Sequence, residues 1–391
     1  MLTLVKIECK GVIHTLSGCE TVCLAVLCRF SESKWWGDEI MTNNVVADSM
    51  GEIHFRQILV NDPKQLVAEL IDGYVDAWRD HICRTPEGQL VRTIPKEQGR
   101  VGLVIGNGLG HEPAMMGLVG RGLFDVNVPG ELFAAPGPVA IAAGIRAADR
   151  GAGVLLCVSN HSGDVLSAEL ALRMVGTSGP DCRMLRLWDD ISTSPQHGPD
   201  RRGGSGLLFA WKIIGAAAEA GLSLTECERL GVKVRDNVRS IGAVFEGTHN
   251  PITGNSISPV AVGTVLVGAG VHGDSTGEVL KADKVDSIAE LLVERITTDL
   301  QLEPGERCGV IVNDAGAMSV LEVTLVARAA KRWLNQRGIV VERLWTGRYA
   351  TTLATAGVGV SICRFDDELL ALWDSECRSP AFNIYGDHRV A

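Results

Sequence analysis

Three segments set glycines beside a residue able to move a proton or attack a carbonyl. The first is Gly106-Asn107-Gly108-Leu109-Gly110-His111-Glu112-Pro113. Its alternating glycines let the backbone approach a ligand and offer amide donors, and His111 at the end can hydrogen-bond or shuttle a proton. A tight turn with a solvated histidine has the same spelling. The second is Asn160-His161-Ser162-Gly163-Asp164. Asp164 either caps the following helix or acts as a general base toward a substrate hydroxyl. The third is Gly268-Ala269-Gly270-Val271-His272-Gly273-Asp274. A neutral, unhindered imidazole at 272 can attack a carbonyl carbon; a histidine packed in a glycine turn is the plain alternative.

Other chemistries fit these segments poorly. No Gly-Lys-Ser or Gly-Lys-Thr follows the first segment, so it is not a loop that grips nucleotide phosphates. The third matches Gly-x-Gly-x-x-Gly after a strand, but Asp274-Ser275-Thr276-Gly277 reads as turn rather than helix start, and Asp274 repels phosphate. Two histidines and an aspartate also suggest a metal, yet none has the short fixed spacing of ligands on one element; no metal is expected. His111, Asp164 and His272 each follow a strand, so they can converge on one cleft.

The elements that would carry them alternate. Strands are expected at 101–105, 154–159, 184–188, 262–267, 308–312, 339–345 and 358–363. Helices are expected at 66–78, 139–148, 165–175, 206–220, from 286 or 287 onward, and at 320–334. In 165–175 the apolar repeat is Leu166, Leu170 and Met174. Such alternation implies an α/β protein with mainly parallel pairing. In sheets of that kind ligands bind beyond the carboxyl ends of strands. The expected architecture is two α/β domains, each built round its own sheet, over 48–236 and 237–391, with the substrate cleft near their junction.

The chain has 391 residues, 47 of them acidic and 37 basic, for a net charge of −10. With 46% hydrophobic and 21% charged residues it is a globular composition, not a disordered one. The acidic balance and the lack of Lys/Arg runs exclude a nucleic-acid partner. No run of 18 apolar residues exists to cross a membrane. Eleven cysteines without a Cys-x-x-Cys pair read as thiols of a reducing compartment, hence cytoplasm. Residues 1–47 differ in character and read as an extension, with Met41 or Met50 as the working start.

From about residue 55 onward the chain resembles the dihydroxyacetone-kinase family, in its substrate-binding K subunit. The resemblance rests on an ordered series: Gly110-His111-Glu112-Pro113, Pro129-Gly130-Glu131-Leu132-Phe133-Ala134-Ala135-Pro136 and Asn160-His161-Ser162-Gly163-Asp164, then Asp189-Asp190-Ile191-Ser192 and Arg202-Gly203-Gly204-Ser205-Gly206. Gly270-Val271-His272-Gly273, Val312-Asn313-Asp314-Ala315-Gly316 and Thr351-Thr352-Leu353 continue it.

By that resemblance, His272 forms a covalent hemiaminal with a short ketose. Asp164 is the base toward the hydroxyl that is phosphorylated, and His111 hydrogen-bonds substrate and assists proton transfer. Gly108, Gly110, Asn160 and Ala135 are implied to bind substrate. No cofactor is expected on this chain; Mg²⁺ and ATP or ADP are expected on a separate nucleotide-binding, L-type subunit, and the K-type chain is expected to be a homodimer.

The chain departs from the family's usual pattern. Asn107 and Leu109 interrupt the glycine run, Glu131 and Leu132 replace Asp-Val, Ala135 replaces a substrate-contacting serine, and Asp274-Ser275-Thr276 replaces Glu-Pro-Gly. A four- or five-carbon keto sugar or a keto sugar acid therefore stands beside dihydroxyacetone as substrate. A ketose sensor that regulates transcription, or another reaction at a carbonyl, are the alternatives to a kinase subunit.

Overall fold

The computed structural model describes residues 58–194, 200–272 and 277–385. The extension at 1–47 and its proposed start sites lie outside these residues.

Helix α1 (Leu66–Ala77) leads into a six-stranded sheet of β1 (Ile82–Arg84), β2 (Leu90–Arg92), β3 (Gly102–Leu109), β4 (Val126–Leu132), β5 (Val154–Ser159) and β6 (Cys182–Leu187). Its order is β1-β2-β4-β3-β5-β6, and β4, β3, β5 and β6 run parallel. Helices α2 (Pro138–Ala148) and α3 (Ser162–Val175) supply the crossovers on one face. The other face is covered by α4 (Leu207–Ala220) and α5 (Leu224–Asn237).

The second sheet contains β7 (Val238–Glu246); after the small hairpin β8 (Thr248–His249) and β9 (Ser256–Ile257) come β10 (Thr264–Val267) and β11 (Glu278–Lys281). Helix α6 (Val285–Leu300), β12 (Arg307–Asp314), α7 (Val320–Gln336), β13 (Val340–Gly347), β14 (Ala356–Phe365) and α8 (Asp367–Asp374) complete it. The order is β11-β10-β7-β14-β12-β13.

The expectation of mainly parallel pairing fails here. Only β12 and β13 run parallel; every other pair in this sheet is antiparallel. Hydrophobic periodicity marks a strand but carries no information on its direction, and β14 follows β13 without a crossover helix.

Two further expectations change. The glycine segment at 106–109 is not a loop: it is the second half of β3, and all eight residues of that strand are buried. And Leu166, Leu170 and Met174 face outward on α3, which buries Ala168, Ala171 and Val175 instead. Small residues let this helix sit close to the sheet, so the bulkier repeat points away.

Helix α4 is the shared core. Its span from Leu207 to Ala218 is buried throughout. It packs between the first sheet and a cluster from the chain's end, with Phe209 against Phe365 and Trp373 at centroid distances of 5.7 and 4.8 Å. Residues 377–384 then return to the first half, where Ala381 N donates to Gly117 O at 2.9 Å. Seven cysteines fall within the described residues, all free thiols, and Cys157, Cys227, Cys308, Cys363 and Cys377 are buried. No described helix is long and apolar enough to cross a membrane.

Buried charges tie β2, β3 and α4 together. Asp125 accepts from Arg92 at 3.0 Å, from Lys96 at 2.8 Å and from the Leu103 amide at 2.8 Å, and Arg92 also reaches Glu219 at 2.9 Å. Removing one member strands the rest in a dry interior, where an uncompensated charge costs far more than the pair contributes. Asp125→Ala is expected to lower stability by about 3–5 kcal/mol in denaturant titration; a loss below about 1 kcal/mol would mean that water reaches the two cations.

Candidate active site

The carboxyl end of β3 delivers His111. The chain turns there through Gly110, whose φ of +102° is a left-handed value that glycine adopts without strain. Gly108 is required for another reason: a Cβ there would lie 2.6 Å from the Ala134 amide nitrogen. The His111 Nδ1 sits 2.8 Å from the Thr351 carbonyl oxygen. A carbonyl only accepts, so Nδ1 carries the proton and Nε2 keeps its lone pair.

The carboxyl end of β5 delivers His161 and Asp164. His161 occupies the N-cap position of α3, without a side-chain cap hydrogen bond. Its Nε2 donates to Gly203 O at 3.3 Å. Asp164 lies in the first turn of α3, and its Oδ1 is buried with no hydrogen-bond partner. The carboxylate accepts from the Asp164 backbone amide, which leaves Oδ1 without a partner.

The second sheet delivers His272, a few residues beyond β10. Its ring packs 4.5 Å from His161 and 5.0 Å from His111, measured between centroids. Phe133 closes the group, 5.1 Å from His111 and 5.7 Å from His272. Phe133 has a φ of +55°, a conformation that costs a bulky residue about 1–3 kcal/mol and that surrounding structure must hold in place.

His111, His161, Asp164 and His272 line one small cavity with Asn107, Gly108 and Ser159; Leu207 and Trp211 of α4 also contribute. The sequence motifs single out His111, Asp164, His272 and Gly108, and the fold brings these four together. It does not bring the other three in. Asn160 donates to Arg201 O at 2.6 Å and accepts from Arg186 at 2.7 Å, so its amide ties loops together outside the cavity wall. Ala135 packs toward Gly163 at the start of α3, and Gly110 acts through its backbone. His161, Phe133 and Trp211 were missed. His161 and Phe133 stand inside quoted motifs, but their neighbours Asp164 and Ala135 drew the attention; nothing in the spelling marks Trp211.

Burial governs the electrostatics. His272 is lowered to about 2, first by burial and then by the fields of His111, His161 and Arg202. His161 is lowered to about 4, and His111 is lowered as well, both chiefly by burial. All three rings are therefore neutral at physiological pH. Burial acts in the opposite sense on the carboxyl group and raises Asp164 to about 7. A neutral imidazole with a free lone pair is a nucleophile, and a carboxyl group poised near neutrality is a general base.

A protein-family model, the Dak1 domain, matches residues 72–381. The chain belongs to the Dak1 family. Among its relatives is the PTS-dependent dihydroxyacetone kinase 1, dihydroxyacetone-binding subunit DhaK, of Listeria innocua. It is 35% identical over 311 residues, which are 79% of this chain and 94% of that one. The L-erythrulose 1-kinase of Mycolicibacterium smegmatis is 36% identical over 333 residues, and there this chain covers 83% of itself but only 57% of the relative. Among solved structures, the dihydroxyacetone kinase of C. freundii superposes with a TM-score of 0.76 at 26% identity, over 84% of this chain and 60% of that one. A dihydroxyacetone kinase operon co-activator, Dha-DhaQ, gives 0.74 at 26% identity, over 80% and 97%.

The raised Asp164 has a measurable consequence for this Dak1 chain. Its folded value lies above that of the unfolded carboxyl group, so ionisation disfavours the fold. The contribution is intact at acid pH and is lost as pH rises through about 7. Asp164→Asn is expected to raise the melting temperature at about pH 8 and to leave it unchanged at about pH 4. A lower melting temperature at the higher pH would show that the carboxylate has a stabilising partner.

Proposed function

We propose that this chain is the ketose-binding subunit of a dihydroxyacetone-type kinase. The observation that carries the reading is a cavity in which a buried, neutral imidazole and an unpartnered carboxylate oxygen share the walls. The relative that it matches over 94% of its length is itself a dihydroxyacetone-binding subunit.

In this reading a ring nitrogen of His272 attacks the ketose carbonyl carbon. A C–N bond forms, the C=O π pair moves to oxygen, and that oxygen takes up a proton. The second ring nitrogen releases one, which leaves a neutral hemiaminal. Only a carbonyl compound can make this bond, so polyols such as glycerol are rejected by chemistry rather than by size. The bond also fixes the neighbouring hydroxyl, and positioning of this kind lowers a barrier by several kcal/mol.

Asp164 accepts the proton of that hydroxyl as it attacks the phosphoryl group. His111, with Nδ1–H spent on Thr351, offers Nε2 as an acceptor to substrate. Phosphoryl transfer needs mostly charge neutralisation. We assign that to Mg²⁺ and to ATP, or a bound ADP, on a separate L-type subunit. We further place the chain in the cytoplasm as a homodimer; its buried thiols suit a reducing compartment.

A ketose sensor is the second reading, favoured by the 97% coverage of the operon co-activator. Binding alone needs no base, and the buried, unpartnered Asp164 Oδ1 argues for catalysis. Dihydroxyacetone and erythrulose relatives stand at similar identity, 35% and 36%, so the ketose class covers both a triose and a tetrulose.

The test is intact-protein mass spectrometry after incubation with dihydroxyacetone or L-erythrulose. Wild type is expected to gain the mass of one ketose and His272→Ala none. Wild type without an adduct, for either sugar, would overturn the reading. With a nucleotide subunit and Mg·ATP supplied, Asp164→Asn is expected to keep the adduct and to lose at least about a hundredfold in phosphorylation rate; turnover equal to wild type would remove Asp164 as the base.

A further inference from the structure

Two residues that line the three-histidine cavity each hold a buried polar atom without a partner. One is Asp164 Oδ1. The other is the indole Nε1 of Trp211. Trp211 is 2% exposed and lies one helical turn beyond Leu207 on α4; both line the cavity floor. A buried tryptophan N–H normally finds an acceptor, and orphaned buried donors are rare enough to need a reason. An indole N–H can only donate, while an ionised carboxylate can only accept. The cavity thus asks its occupant for one acceptor oxygen and one hydroxyl.

We propose that Trp211 is a substrate-binding residue, whose Nε1–H donates to an oxygen of the bound ketose while Asp164 Oδ1 accepts from a ketose hydroxyl. This rests on the ketose reading above. It adds a contact on α4, an element to which neither the motif series nor the histidine cluster points. It also explains why a polar edge is left unsatisfied in the most buried helix of the protein. A hydroxyketone satisfies both orphans at once; a simple ketone satisfies one.

The test replaces Trp211 in two ways. Trp211→Phe removes the N–H together with some volume. Incorporation of 3-benzothienylalanine at 211 removes the N–H and keeps the ring shape. Dihydroxyacetone and L-erythrulose are then titrated by calorimetry, with adduct mass and melting temperature measured in parallel. The benzothienyl protein is expected to bind both sugars about tenfold more weakly, the equivalent of about 1.4 kcal/mol. Its unliganded melting temperature should stay unchanged, and the His272 adduct should still form at saturating ketose.

Binding by the benzothienyl protein within about twofold of wild type would overturn the proposal. In that case the N–H serves the fold, for instance against the Phe124 ring 6.0 Å away. A fall in melting temperature without loss of affinity has the same meaning. Wild type that binds neither sugar would remove the ketose reading and this contact together.

Discussion

The site exists because one irregular segment of the second sheet is laid against the end of a strand in the first. Thr351 N donates to His111 O at 3.1 Å, Leu353 N to Gly110 O at 2.9 Å, and His111 Nδ1 returns a bond to Thr351 O. The Thr352 hydroxyl then holds Val271 O at 2.8 Å, next to His272. These few bonds bring a histidine from each half of the chain within 5.0 Å of the other. They also settle the tautomer of His111. Leu353 carries a φ of +51° in this segment, so the contact is kept at a conformational cost that the surrounding packing must offset.

Dryness does the electrostatic work in both directions. Removing water destabilises whichever form of a group is charged, so the same wall that keeps three imidazoles neutral pushes a carboxyl group up toward neutrality. A solvated version of these residues would hold histidines partly protonated, and useless as nucleophiles in that fraction, and an aspartate too acidic to take a hydroxyl proton effectively. The cavity can therefore draw a nucleophile and a base from ordinary side chains, with the Arg202 guanidinium adding to burial in keeping His161 and His272 neutral. Phe133, in its unfavourable backbone conformation, contributes a ring against two of the histidines and so helps to exclude water from them.

The sequence made the α/β class, most helices and half of the described strands legible, because apolar segments of the right period and length must be buried somewhere; β4, β7 and α5 were not expected. It did not make strand direction legible. β10 and β14 read like members of a parallel sheet and pair antiparallel, since pairing is chosen by tertiary packing. The same limit misled the reading of Leu166, Leu170 and Met174: these bulky residues lie on the outward face of α3 beside Glu169 and Arg173, and Ala168, Ala171 and Val175 make the close contact. Asp164 and the two strand-end histidines were visible because their types permit few other roles beside glycine. Asn160 shows the reverse. Its polar side chain sits in the right motif but is consumed by Arg186 and the Arg201 backbone, a competition that no single segment reveals.

Selectivity follows from the order in which such a site can be satisfied. Hydrogen bonds alone discriminate a ketose from a polyol weakly, because each contributes only about 0.5–1.5 kcal/mol net and both molecules present hydroxyls. A carbon–nitrogen bond to His272 is available only to the carbonyl compound, and so the discrimination is qualitative. The polar atoms then have a different task. Once the carbonyl carbon is fixed, the remaining freedom is rotation about the bonds beside it. In the proposed reading, an acceptor on α3 and a donor on α4, carried on separate elements, stop that rotation with one hydroxyl directed at Asp164. In the same proposed reading, recognition by bond formation and orientation by hydrogen bonding are thus divided between the two halves of the chain: the second sheet supplies the nucleophile, and the first half supplies the groups that aim the hydroxyl.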